Sequence, residues 1–131
     1  MTGLIWFVQI VHYPLFKAVG EESVSSYALQ HANRTSFVVI IPMLLELASA
    51  AYLFIYRPDW LSWNQAIISL ILIIVIFAST FFLQVPLHNL IQSTGSENYV
   101  SKLVMTNWIR TVCWSLRAGL LTFIVYLAMQ K

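Results

Sequence analysis

Apolar residues fall in four runs separated by short polar stretches. A transmembrane helix needs about 20 mainly apolar residues. The first run, Leu4 to Phe16 and at most on to Val19, is short and carries Pro14 near its end. The second covers Ser36 to Tyr56, and the fourth Leu103 to Met129. The third covers Gln65 to Val85 and is expected to stop at Pro86, because proline cannot continue the backbone ladder. The pattern predicts an all-α, four-helix transmembrane bundle, up-down-up-down, as a single domain over residues 1–131.

The connections fit that count. Residues 17–35 hold Lys17, Glu21, Glu22 and Arg34, and predict a short amphipathic helix at the interface. Arg57-Pro58-Asp59-Trp60 reads as a tight turn, and residues 87–99 as a polar loop around Gly95. One membrane face, side A, then holds residues 17–35 and 87–102. Side B holds both termini and Arg57. Tyr52, Tyr56, Trp60, Trp63 and Tyr126 fall toward side B, and Tyr13, Tyr27 and Tyr99 toward side A, as interfacial aromatics should. Lys17, Arg34 and Lys102 on side A outnumber Arg57 and Lys131 on side B, which points side A at the cytoplasm.

Composition strengthens the membrane reading. The chain of 131 residues is 60% hydrophobic and 9% charged, with a mean hydropathy of +0.78. A soluble domain carries about 25% charged residues. The net charge of +2 is scattered, so no basic patch suits nucleic acid. Cys113 is the single cysteine, which excludes an intrachain disulfide. The N-terminus lacks a basic leader and an Ala-x-Ala-like cleavage site, so the first run is expected to be a retained helix.

Candidate chemistry lies in the residues that do not belong in lipid. Asn107, Arg110, Trp114 and Arg117 follow spacings of three, four and three, which places them on one helix face. An arginine at the bilayer centre costs at least ~2.5–3.5 kcal/mol, so it must face the bundle interior and find a partner. Glu46 is the single carboxylate within the four runs, at about the depth of Arg117. The expectation is a Glu46–Arg117 or Glu46–Arg110 ion pair. Helix 1 adds Gln9 and His12 on one face. Helix 3 adds Thr80 and Gln84, with His88 just beyond Pro86 and His31 ahead of helix 2. Every helix thus points a polar side chain at a region open toward side A.

Three readings of this region stay open. Polar groups inside a membrane bundle can simply fix packing, worth ~0.6 kcal/mol on average. His12, His31 and His88 with Glu46 form a ligand set of the type that binds a transition metal, although no HxxxH or ExxH motif is present. His12 and His88 alternatively hold a haem whose propionates meet the arginines. Two arginines against one carboxylate leave positive charge over, which suits an anionic ligand.

Val11–Phe16, Arg34–Glu46, Gln84–Leu90 and Thr106–Arg117 resemble segments of small bacterial four-helix membrane proteins of unknown function. The layout is similar to that of the anthrone-oxygenase-like membrane family. There helix 1 ends in an aromatic and proline segment, and helix 4 carries an Asn and Arg pair. The resemblance implies a bacterial inner-membrane location and transformation, such as oxidation, of a lipophilic small molecule.

The resulting expectation is a membrane-embedded enzyme or ligand-binding protein for a lipophilic molecule with a polar or anionic head. Arg110 and Arg117 would hold the head, with Asn107, Gln84, Trp114 and Gln9 around it. Glu46 or His12 would move a proton or ligate a metal. The alternative is an accessory subunit without chemistry of its own, as a homo-oligomer or in a larger membrane complex. A transport path is disfavoured, because the side B half of the helices is nearly free of charge.

Overall fold

The computed structural model describes residues 1–130, with Glu21 described through its backbone alone. Lys131 and the Glu21 side chain, both used in the sequence reading, lie outside the described residues. Five α-helices are present among the described residues: α1 (Thr2–Phe7), α2 (Glu21–Ile55), α3 (Trp63–Ser79), α4 (Val85–Thr94) and α5 (Glu97–Ala128). No strand occurs among the described residues. Wide π turns follow α1 (Val8–His12) and join α3 to α4 (Thr80–Gln84), and a tight 3-10 turn covers Pro14–Ala18.

Among the described residues, three helical rods are long and apolar enough to cross a membrane: Glu22–Ile55, Trp63–Thr94 and Glu97–Ala128. The N-terminal segment is not, since its regular α-helix has six residues before the π turn begins. Large apolar side chains cover the outside of the rods. Phe37 is 84% exposed and Phe82 is 78% exposed, a surface that suits lipid rather than water.

The prolines behave differently from the expectation. Pro86 does not end the third rod but sits in the first turn of α4. The π turn ending at Gln84 absorbs it, because a wide turn moves aside the carbonyls that the ring would strike. Pro14 follows the other π turn, which ends at His12, in the same way. Pro42 lies inside α2 without breaking it, as membrane-spanning helices tolerate.

The interfacial helix expected over residues 17–35 is likewise not separate. It forms the first turns of α2, because nothing between Ala32 and Ser36 interrupts the backbone. The polar loop shrinks to Gly95 and Ser96. Gly95 caps α4 at φ 64°, a left-handed conformation that glycine takes without penalty. The turn at Arg57–Trp60 forms as expected. Arg57 donates to the Leu61 carbonyl at 2.7 Å, and Ser62 and Gln65 make a reciprocal capping box that starts α3.

Helix α5 is the centre of the fold. It packs against α1, α3 and α4, while α2 packs against α3 and α4. Its inward face carries Leu103, Asn107, Arg110, Thr111, Trp114 and Arg117, all buried. The polar stripe of the sequence is therefore the core-facing stripe of the central helix.

Candidate functional site

Two polar clusters lie along that stripe. The deeper one is built on Glu46. Its Oε2 accepts from Arg117 NH1 at 3.0 Å and from Trp114 Nε1 at 2.9 Å. The Met1 amino group stands 3.4 Å from Oε1. Of the two ion pairs expected from the sequence, the structure thus forms Glu46–Arg117. Arg117 is buried on α5, and the carboxylate on α2 compensates its charge where water cannot.

A belt of amide and hydroxyl groups lies above it. Gln9, in the first π turn, donates to the Val104 carbonyl at 3.0 Å. Its Oε1 accepts from Asn107 at 2.9 Å and from Thr111 at 3.3 Å. Gln84, in the second π turn, donates to Thr106 Oγ1 at 3.1 Å. Each π turn therefore offers one buried glutamine to α5. These bonds cross between elements in an apolar interior, where an unpaired amide is costly. Asn107 and Gln9 do not line the neighbouring cavity.

The second cluster opens into a cavity of about 250 Å³. Its polar wall includes Tyr13, His31, Thr35, Gln84, His88 and Arg110. Ile5, Val8, Val39 and Met43 form much of the apolar remainder. Arg110 is 7% exposed, and its guanidinium carbon stands 5.5 Å above the Trp114 ring. No carboxylate among the described residues lies within ion-pair distance of it. Three buried polar atoms of this wall have no hydrogen-bond partner: Arg110 Nε, Gln84 Oε1 and His88 Nδ1. Unpartnered atoms also occur away from it, at Ser69, Ser79, Asn107 and Arg117. Buried polar groups are nearly always satisfied, however, and three on one cavity wall are placed where a ligand could supply partners.

The histidines converge, as their shared depth in the sequence suggested, and they meet one another rather than Glu46. His12 Nε2 faces His31 Nδ1 at 2.6 Å. That is a hydrogen bond, whereas two imidazole nitrogens on one zinc at about 2.0–2.1 Å each would stand farther apart than 3 Å. Thr35 also bonds His31 Nδ1 at 3.0 Å, and Tyr13 OH bonds His88 Nε2 at 3.1 Å. Glu46 cannot join the set. It is fifteen residues from His31 along α2, roughly 22 Å of helix. Among the described residues no three His, Cys, Asp or Glu side chains form a metal-ligand group. The expected metal site of His12, His31, His88 and Glu46 is corrected accordingly.

The haem reading meets a geometric obstacle. The His31 ring lies 4.4 Å from that of His12 and 5.2 Å from that of His88, so it fills the space a macrocycle would need between them. Phe16, fully buried, sets its edge against His12 and His31 and packs the group from behind.

Of the expected ligand-binding residues, Arg110 and Gln84 line the cavity together with His31 and His88. Arg117 and Trp114 belong to the Glu46 cluster instead, and Gln9 and Asn107 to the amide belt. The sequence reading missed Tyr13, Thr35 and Thr111. Thr35 is four residues after His31, and Thr111 four after Asn107, so helical spacing alone could have found both.

No family model matches the chain, and no curated protein or solved structure matches it significantly. The site must be interpreted from its own geometry.

Proposed function

We propose that the protein binds a lipophilic molecule with an anionic head inside a four-crossing, multi-pass membrane bundle. The N-terminal segment serves as the short fourth crossing in an up-down-up-down arrangement, and both termini lie on one side. A bacterial inner membrane is the setting that the sequence resemblance suggests. The observation that carries the reading is Arg110: a buried cation without a carboxylate, on the wall of a largely apolar cavity. A carboxylate or similar head there would supply the missing countercharge and a partner for Arg110 Nε.

His88 stands on the same wall with a free ring nitrogen that orients the head. The free Gln84 oxygen, an acceptor, suits a hydroxyl or protonated oxygen of the ligand and not the anionic oxygens. Any proton movement at the head falls to Tyr13 and His88, which are bonded to each other, with His31 and His12 behind them. An enzymatic role uses those groups; a binding role needs Arg110 alone. The cavity is larger than the ~150 Å³ that holds a benzene. It is smaller than the 300–1,000 Å³ that encloses a drug-sized ligand. It takes a head and a short stretch of apolar chain or one ring.

The test uses the protein in lipid nanodiscs, with terminally trifluorinated dodecanoate and the matching alcohol read by fluorine NMR. The acid gives a bound signal and the alcohol does not. Arg110→Gln weakens acid binding roughly 10- to 100-fold, the loss of a charge-assisted bond of about 1.5–3 kcal/mol. Equal binding of acid and alcohol, or binding unchanged in the variant, contradicts the reading.

A further inference from the structure

A second hollow, of about 200 Å³, lies on the outside of the bundle between the N-terminal segment and α2. Leu4, Phe7 and Val8 line it from one side, and Val38 and Val39 from the other. His12, His31, Arg34 and Thr35 close one end. Phe7 and Val38 are more than half exposed, so the hollow faces the lipid. Five residues belong to this hollow and to the Arg110 cavity alike: Leu4, Val8, His31, Thr35 and Val39. The two spaces are thus separated by a partition one side chain thick, with no helix between them.

Depth gives the hollow a direction. Glu46 sits at the centre of the apolar stretch Phe37–Ile55, and Arg34 is twelve residues from it along α2. That is roughly 18 Å, just outside the half-thickness of about 15 Å of a bilayer's hydrocarbon core. Arg34 is exposed and therefore stands at headgroup level. Arg110 is seven residues above Arg117 on α5, roughly 10 Å from the midplane, and thus within the hydrocarbon. One cation at the membrane surface and one buried behind the partition form a two-step descent for an anionic head.

We propose that this outer hollow is a first binding site for the same single-chain anionic amphiphile, and the lateral entrance to the Arg110 cavity. Arg34 takes the head at the interface while the tail stays in lipid against Phe7, Val8 and Val38. The partition then opens by rotation of the Leu4, Val39 and His31 side chains, and the head moves to Arg110. The cavity holds the head and the first carbons, and the tail leaves through the same gap. This inference rests on the reading of Arg110 as the anion anchor, but it fails separately.

The experiment joins Leu4 to Val39 across the gap, as a Leu4→Cys/Val39→Cys pair in a Cys113→Ser background. Fluorine exchange NMR in nanodiscs follows terminally trifluorinated dodecanoate between its lipid-dissolved and bound signals. Oxidation of the pair slows exchange at least tenfold, and reduction restores it. Val39→Trp, which fills the partition without a cross-link, slows it in the same direction. Arg34→Gln slows exchange several-fold and leaves the bound signal at its wild-type position. Exchange unchanged by both the cross-link and Val39→Trp overturns the lateral entrance and assigns entrance to the aqueous side. Loss of the bound signal in Arg110→Gln, with exchange insensitive to the partition, keeps the anchor and discards the entrance. A bound signal that survives Arg110→Gln overturns the anchor itself.

Discussion

Arg110 and Arg117 lie two turns apart on the same face of α5, both buried, yet their surroundings are opposite. Arg117 has a carboxylate at 3.0 Å, and that carboxylate also holds an indole N–H. Arg110 has the face of Trp114, no carboxylate and a cavity, although the Nε of both arginines is without a hydrogen-bond partner. The contrast separates two uses of charge in a membrane interior. A compensated charge ties two helices together. An uncompensated one is a liability to the fold and marks a candidate functional site.

The comparison can be broken most forcefully at Glu46. Glu46→Ala leaves Arg117 buried and unpaired, and should cost about 3 kcal/mol of stability. Arg110→Gln should leave the apparent unfolding temperature nearly unchanged, or raise it. Thermal unfolding in detergent checks both, and equal losses would erase the distinction between the clusters.

A smaller loss is expected in the belt between them. Gln9→Leu strands the Asn107 amide donor, while Thr111 keeps the Asn107 backbone carbonyl as acceptor, and should cost about 1–3 kcal/mol by the same melt without shifting dodecanoate affinity. An affinity change as large as that of Arg110→Gln would mean the belt belongs to the site.

The smallest effect is expected at the second π turn. Thr106→Val removes the acceptor for Gln84, a membrane-interior bond worth about 0.6 kcal/mol. It frees the Gln84 amide toward the cavity, so the same titration should find binding unchanged or slightly tighter. Weaker binding would show that Thr106 orients Gln84 for the ligand.

Three of the four apolar runs form helices long and apolar enough to cross a membrane, whereas the first run does not reach that length. Those three could be seen in the sequence because lipid demands long uninterrupted apolar surface. The element ends could not. Pro86 reads as a stop in water-soluble logic, but a π turn two residues earlier carries the third rod through it. Residues 17–35 read as a separate interfacial helix because they are polar, although polarity does not break a backbone, and α2 starts at Glu21.

The stripe of Asn107, Arg110, Trp114 and Arg117 was legible from spacing, and so was the need of an arginine for Glu46. Which arginine was not. Two helical turns separate the candidates, and helix ends read from sequence are uncertain by nearly as much. The histidines could be placed at one depth but not told apart as ligands or hydrogen-bond partners. That depends on a 2.6 Å approach between residues nineteen apart, which only tertiary packing sets.

The most direct test watches the two guanidinium groups at once. With arginine labelled at Nε by nitrogen-15 in a nanodisc sample, the Arg110 and Arg117 signals are assigned through Arg110→Lys and Arg117→Lys. Dodecanoate is then added. The account predicts that the Arg110 signal moves as its Nε–H gains an acceptor in the cavity. Arg117, whose Nε–H is also unpartnered but which does not line the cavity and is held by Glu46, stays in place. A shift at Arg117 with Arg110 unmoved, or no shift at either, would contradict it.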